Sequence, residues 1–283
     1  MKSLIWTAAG AVTALALLRA CDARADEREW TSLRASQPAH PKLYSRSMVA
    51  ALPVPAQRYF EFAIAPGAPL LTVAELTMTG KFSLGSKACP RYQAIEARQI
   101  LAVPGGFVWQ MRTRTGLPIS GSDSGGWTRF RVLGGVPVAR RGGDADHARA
   151  AFGRGVAEAV FWTPAAVLPG PGVGWAAVDD ATARVTVTQG RLAQAVDVTV
   201  DGDGRPTQVV FRRWSDANPK KTYQWQPFGG FLSDFRQVQG FRIPFHVEAG
   251  NMFGTQDYFP FYITDLTGIR YPIASRQRRP HGA

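Results

Sequence analysis

From about residue 71 the chain alternates with a period of two. In "TVAELTMTGKFSL" Val73, Glu75 and Thr77 share one parity, and Ala74, Leu76 and Met78 the other. That is the pattern of a strand whose two faces meet different surroundings. Further strands are expected at 91–103, 107–114, 118–124, 127–132 and 136–140, separated by Gly, Pro and Ser. After an interruption the same rhythm returns at Trp175, 184–188, 192–200, 208–214, 229–248 and 258–266. "DGDG" at 201–204 is a turn signal between two of these strands.

Helical spacing replaces the alternation in two places. Behind Pro53-Val54-Pro55, Ala56, Tyr59, Phe60 and Ala63 recur at three- and four-residue intervals, and prolines suit a first turn. At 144–162 an apolar stripe runs through Ala148, Ala151, Phe152, Val156, Ala159 and Val160. Asp144 or Asp146 would cap that helix, and Pro164 lies beyond its end. Gly153 and Gly155 each cost about 1 kcal/mol of helix propensity relative to Ala. The expected fold class is mainly β: a single antiparallel sheet curled into a half-barrel or open barrel, with two or three helices packed on it. The domain is expected at 51–268.

The segment "GGFLSDFRQVQGFRIPF" (229–245) contains a Gln239-Gly240 turn signal. A two-residue loop there pairs Val238 with Phe241, Arg236 with Ile243, and Asp234 with Phe245. Asp234 and Arg236 then share the face that the partner strand makes apolar. Buried charges must be paired. They are therefore a salt bridge inside the barrel, a polar fixture at the base of a cavity, or a catalytic pair.

The first 50 residues carry neither rhythm. Lys2 precedes an apolar run at 4–18, too short for a span of about 20 residues. Residues 1–25 read as an export or lipoprotein signal, and the cell envelope or periplasm follows as the location. "LRAC" offers Cys21 for lipidation. "ARA" before Asp26 offers ordinary cleavage, and an uncleaved anchor is the third reading. With Cys21 acylated, Asp22 behind it resembles an inner-membrane retention signal. Residues 26–50 read as a linker or an arm. Cys21 and Cys89 are the only cysteines, so no internal disulfide is expected in a processed chain, and Cys89 reads as a small buried hydrophobe.

The net charge of +12 favours anionic partners. The arginines are scattered, however, apart from Arg276, Arg278 and Arg279 in a basic tail at 269–283, and no nucleic-acid-binding signature is present. Nucleic acid is not an expected partner.

Candidate chemistry is sparse. The four histidines are His40 in the arm, His147 at the start of the longer helix, His246 on the polar side of its strand and His281 in the tail. None accompanies a nucleophile elbow, and His147 is expected in solvent. No metal-ligand spacing or phosphate loop occurs, so neither metal nor cofactor is expected. Asp179-Asp180 read as turn residues. Glu158 falls at the edge of its helix's apolar stripe, as a half-buried acid or a solvated flank.

Five segments, "LPVPAQRYFEFAI", "GGFVWQMR", "VAEAVFWTPAAVLP", "WAAVDDATARVTV" and "SDFRQVQGFRIPF", resemble in this order a bacterial family known only as a domain of unknown function. Its members more often carry Asp at position 239 and Tyr at position 235, where this chain has Gln239 and Phe235. The hairpin is also similar to one in periplasmic carriers of lipids and lipoproteins, which are open half-barrels. That resemblance implies non-enzymatic binding of an apolar or lipid-like molecule in a concave sheet. Candidate ligand-binding residues are Trp109, Met111, Phe130, Glu158, Phe161, Trp162, Trp225, Asp234, Phe235, Arg236, Ile243 and Phe245. Membrane association would run through Cys21 or the N-terminal segment. Two alternatives stand beside it: an envelope assembly protein with a filled interior, and a hydrolase pairing Glu158 with Asp234 in one cleft.

Overall fold

A computed structural model describes residues 2–273. Its strands form two meanders. The first comprises β1 (Ala74–Ser83), β2 (Tyr92–Ala102), β3 (Gly106–Thr113), β4 (Ile119–Ser124), β5 (Thr128–Val132) and β6 (Val136–Arg141). The second comprises β7 (Val173–Ala177), β8 (Thr182–Gln189), β9 (Leu192–Val200), β10 (Pro206–Ser215), β11 (Gln224–Val238), β12 (Phe241–Asn251) and β13 (Phe259–Arg270). Antiparallel pairing of β1 with β13 joins them into one 13-stranded sheet, with β6 and β7 left as its two edges. The sheet is open, as the alternation predicts.

Among the described residues three α-helices accompany it: α1 (Lys2–Ala35), α2 (Val54–Ala63) and α3 (Ala145–Trp162). The chain leaves the sheet at one edge, β6, and rejoins it at the other, β7. Helix α3 makes most of that crossing, its 18 residues spanning roughly 27 Å. It lies over the inner face, which period-two alternation makes apolar. Leu76 and Met78 of β1, Phe107 and Trp109 of β3, Val209 and Phe211 of β10, and Phe241 and Ile243 of β12 bury there against Val156, Val160 and Trp162.

Asp144 caps α3 by accepting from the His147 N–H at 2.7 Å. The helix end is held by two buried phenols: Tyr59 of α2 donates to the Val160 carbonyl, and Tyr271 donates to the Trp162 carbonyl at 2.7 Å. These satisfy carbonyls that a helix C-terminus leaves without partners. Gly153 faces the sheet, where a Cβ would come within 2.5 Å of Gln194 Oε1. A side chain at this position would have to displace the Gln194 amide.

The N-terminal region, read as a signal followed by a linker or an arm, packs on the sheet. Helix α1 runs without a break past Cys21 and Ala25, and its last turns pack on the outer face of the sheet. Trp30 and Leu33 bury against Val73, Ile100 and Val108. Glu75 accepts from Trp30 Nε1 at 2.9 Å, Arg34 Nε at 2.6 Å and Arg270 Nε at 2.6 Å. Burial alone would raise the Glu75 pKa, but these donors hold it below the usual carboxylate value. Asp22 is buried among Arg129, Arg131 and Arg140. Farther on, Tyr44 and Val49 join the main core. The segment 26–50 is polar on average, but its few apolar side chains have a complementary surface to cover. Among the described residues no helix is long and apolar enough to cross a membrane. Arg276, Arg278, Arg279 and His281 lie outside the described residues.

Candidate functional site

Alternation places Phe130 of β5, Trp109 and Met111 of β3, and Phe211 and Phe228 of β10 and β11 on the inner face. Phe161 and Trp162 descend from α3. These side chains do not fill the space beneath the helix. A cavity of about 570 Å³ remains, with Leu84 and Val138 exposed at its mouth.

One charged cluster crosses this apolar space. Arg154 of α3 donates from Nε to Glu158 Oε1 at 2.7 Å, one helical turn away, and from Nη1 to Asp123 Oδ2 of β4 at 2.8 Å. Its Nη2 reaches Gln99 Oε1 at 3.3 Å, and Gln99 Nε2 donates to Glu158 Oε2 at 2.5 Å. The guanidinium lies 4.6 Å from the Phe107 ring centroid and 5.1 Å from that of Trp109. Burial would lower the Arg154 pKa, but Glu158 and Asp123 push it above its ordinary value, so the group stays charged. Glu158 is therefore neither an isolated half-buried acid nor a solvated flank; it is held by Arg154.

A second arginine behaves differently. Arg213 of β10 shares the inward parity of Val209 and Phe211 and lines the same cavity. It stacks 4.8 Å from the Phe228 ring centroid, and its Nε is buried without a hydrogen-bond partner. The sequence carried this signal, since an arginine at the apolar parity of "VVFRRWS" is as conspicuous as Asp234 in β11. The Arg154–Glu158 spacing was legible as well. Their juxtaposition with Asp123 and Gln99, far away in the chain, was not.

Of the residues singled out from the sequence, Trp109, Met111, Phe130, Glu158, Phe161 and Trp162 line the cavity together. Trp225 is exposed, in a shallow groove with Arg184, Arg212 and Pro227. Ile243 and Phe245 belong to the packed core. Asp234 and Phe235 line another groove, with Phe62, Asp201 and Arg242. The hairpin register is as expected, with Val238 opposite Phe241 and Arg236 opposite Ile243. The burial of the charged pair is corrected. Asp234 has a left-handed φ of 52°, which interrupts the alternation, and the pair lies exposed with Arg236 Nη2 donating to Asp234 Oδ2 at 2.6 Å. Arg236 also covers the Phe245 ring at 4.5 Å. Glu158 and Asp234 thus line different cavities, not one cleft.

The remaining titratable groups are placed as follows. His147, expected in solvent, is buried, with Nε2 3.1 Å from Thr128 Oγ1. Its helix turn faces β4 and β5, not water. Cys89, expected buried, is exposed in the loop after β1, as is Cys21 on α1. On the outer face Ser233, His246 and Asp265 stand opposite one another on three adjacent strands. His246 Nδ1 lies 2.7 Å from Asp265 Oδ1, but its Nε2 turns to Glu248 Oε1 at 3.4 Å, away from Ser233. That row has the composition of a hydrolytic triad without the nucleophile–base bond. No group of three or more potential metal ligands occurs among the described residues.

Residues 42–263 match the model of a family of unknown function, DUF6544. The chain belongs to this family. The match runs from before β1 into β13 and includes α3. None of the curated proteins matches the sequence. Among solved structures the chain is similar to a LolA superfamily protein from Nitrosomonas europaea, at 9% identity and a TM-score of 0.40 over 82% of this chain and 94% of that one. It is also similar to a DUF1329 family protein from Desulfovibrio piger, at 9% identity and a TM-score of 0.39 over 72% and 87% of the two chains.

Proposed function

We propose that this member of the DUF6544 family binds an apolar, lipid-like molecule in the cavity between α3 and the concave sheet, and acts by holding it. The observation that carries this reading is an unfilled space of about 570 Å³ walled by Trp109, Met111, Phe130, Phe161, Phe211 and Phe228. Protein interiors are ordinarily packed close to crystal density, and apolar side chains collapse into small voids. A space of this size with apolar walls lies within the range of ligand pockets. Its open mouth, flanked by Leu84 and Val138, gives a chain-like molecule a way in.

The envelope is the location consistent with the apolar N-terminal run, and acylation of Cys21 is the route to a membrane. The exposed thiol of Cys21 sits on α1 next to buried Asp22, so an acyl chain there would leave the docked face of the helix undisturbed.

The test is native mass spectrometry of protein purified from membrane and soluble fractions, followed by organic extraction. A co-purifying lipid that is lost in Phe130→Glu, with the fold intact by circular dichroism, supports the reading and names the cargo. A protein that is empty as isolated, and stays empty when offered lipids, removes it.

A further inference from the structure

Two arginines face the cavity, and the structure treats them unequally. Arg154 has its charge met by Glu158 and Asp123 and donates to both and to Gln99. Arg213 takes part in no ion pair or hydrogen bond with another described residue; its one close partner is the face of Phe228. The nearby carboxylate of Asp216 is taken by Arg141 at 2.5 Å. The Arg213 Nε is the donor buried without a partner, and a guanidinium N–H left unfilled beside an apolar wall is costly. Burial, then repulsion from Arg154, draws the Arg213 pKa below its ordinary value, although Asp123, Glu158 and Asp216 lift it. A cation with enough counter-charge shows the opposite shift, as Arg154 does.

Resting on the cavity reading above, we infer that the ligand is an anionic single-chain amphiphile whose carboxylate or phosphate monoester head is bound by Arg213. Both head groups present oxygens in the spacing that a guanidinium fork meets with two parallel hydrogen bonds. The position of the head follows from the other charges. Asp123 and Glu158 together outnumber Arg154 and repel an anion placed beside them, so the head seats at the β10 side, over Phe228. The tail then runs along Phe211, Trp109 and Phe130. Arg213 also supplies specificity, since a neutral lipid of the same chain leaves its donors unpaired.

The experiment is competition against a neutral fluorescent apolar probe with four ligands: oleate, oleyl alcohol, oleoyl lysophosphatidate and oleoyl lysophosphatidylcholine. Wild type, Arg213→Met and Arg212→Met are compared. Methionine keeps an apolar stem over Phe228, and Arg212, which is exposed and bonded to the Trp225 carbonyl at 3.0 Å, controls for net charge.

The expected result is that wild type and Arg212→Met bind an anionic ligand about tenfold or more tightly than its neutral counterpart. Arg213→Met should lose that preference while keeping its affinity for oleyl alcohol. The ratio of oleate to lysophosphatidate affinity assigns the head as carboxylate or phosphate. Equal affinity of wild type for charged and neutral heads overturns the role of Arg213 and leaves the cavity reading standing. So does a preference that survives in Arg213→Met. If neither the probe nor any of the four ligands binds wild type, the cavity reading fails and this inference fails with it.

Discussion

Gln239 grips the backbone of Tyr271 from both sides: its Oε1 accepts from the Tyr271 N–H at 2.8 Å, and its Nε2 donates to the Tyr271 carbonyl at 3.0 Å. The same tyrosine packs its ring 4.6 Å from that of Phe241 and sends its hydroxyl to the Trp162 carbonyl at 2.7 Å. The tip of the β11–β12 hairpin, the end of β13 and the end of α3 are thereby one unit. Gln239 and Gly240 have φ values of 50° and 89°, the left-handed pair that a tight two-residue hairpin needs.

Tyr271→Phe is expected to lower the unfolding free energy by about 1–3 kcal/mol, because a buried carbonyl loses its donor. Gln239→Asp should cost about 1 kcal/mol, because a carboxylate has no N–H for the Tyr271 carbonyl. Urea denaturation with an unchanged m-value checks both. A Tyr271→Phe variant as stable as wild type would show that the phenol does not anchor α3.

Arg154→Met should destabilise the protein by about 3–5 kcal/mol, since Glu158 and Asp123 would face each other near the cavity without their shared cation. Adding Asp123→Asn and Glu158→Gln to that variant should recover part of the loss, because the amides carry no charge to repel. Denaturation midpoints of both variants check this, and a loss that the amides leave unchanged would assign the effect to packing alone.

Glu75 links α1 to the sheet, and its folded-state pKa is depressed below the ordinary value of 4.5. A carboxylate with a depressed folded pKa contributes stability that is fully present above its unfolded pKa and is lost as pH falls through the folded one. Glu75→Gln should therefore cost about 1–3 kcal/mol near neutral pH. The gap from wild type should close as pH falls below about 4.5. Stability measured against pH for both proteins checks the sign, and a gap that widened in acid would contradict it.

Much of the fold was legible because its signals are local. Alternation in β1, β3 and β10, helical spacing in α2 and α3, and the Gln239-Gly240 turn each depend on neighbouring residues. The failures have local causes too. Asp234, expected inside, takes a left-handed φ, and with Arg236 it lies exposed. The arm misled because Trp30 and Leu33 are too few to declare a packed face, yet they meet one on Val73, Ile100 and Val108.

The sequence by itself determined the class of element in the two meanders and in α2 and α3, the hairpin register, and the aromatic character of the inner face, since each follows from side chains near one another in the chain. Only the tertiary structure decided that β1 pairs with β13, that α3 crosses between the sheet's two edges, and that a cavity is left beneath it. Tertiary structure alone also separated Arg154, met by Asp123 and Glu158, from Arg213, met by none. Whether an inward-facing charge is satisfied depends on which distant strands the curled sheet brings against it, and no local pattern encodes that.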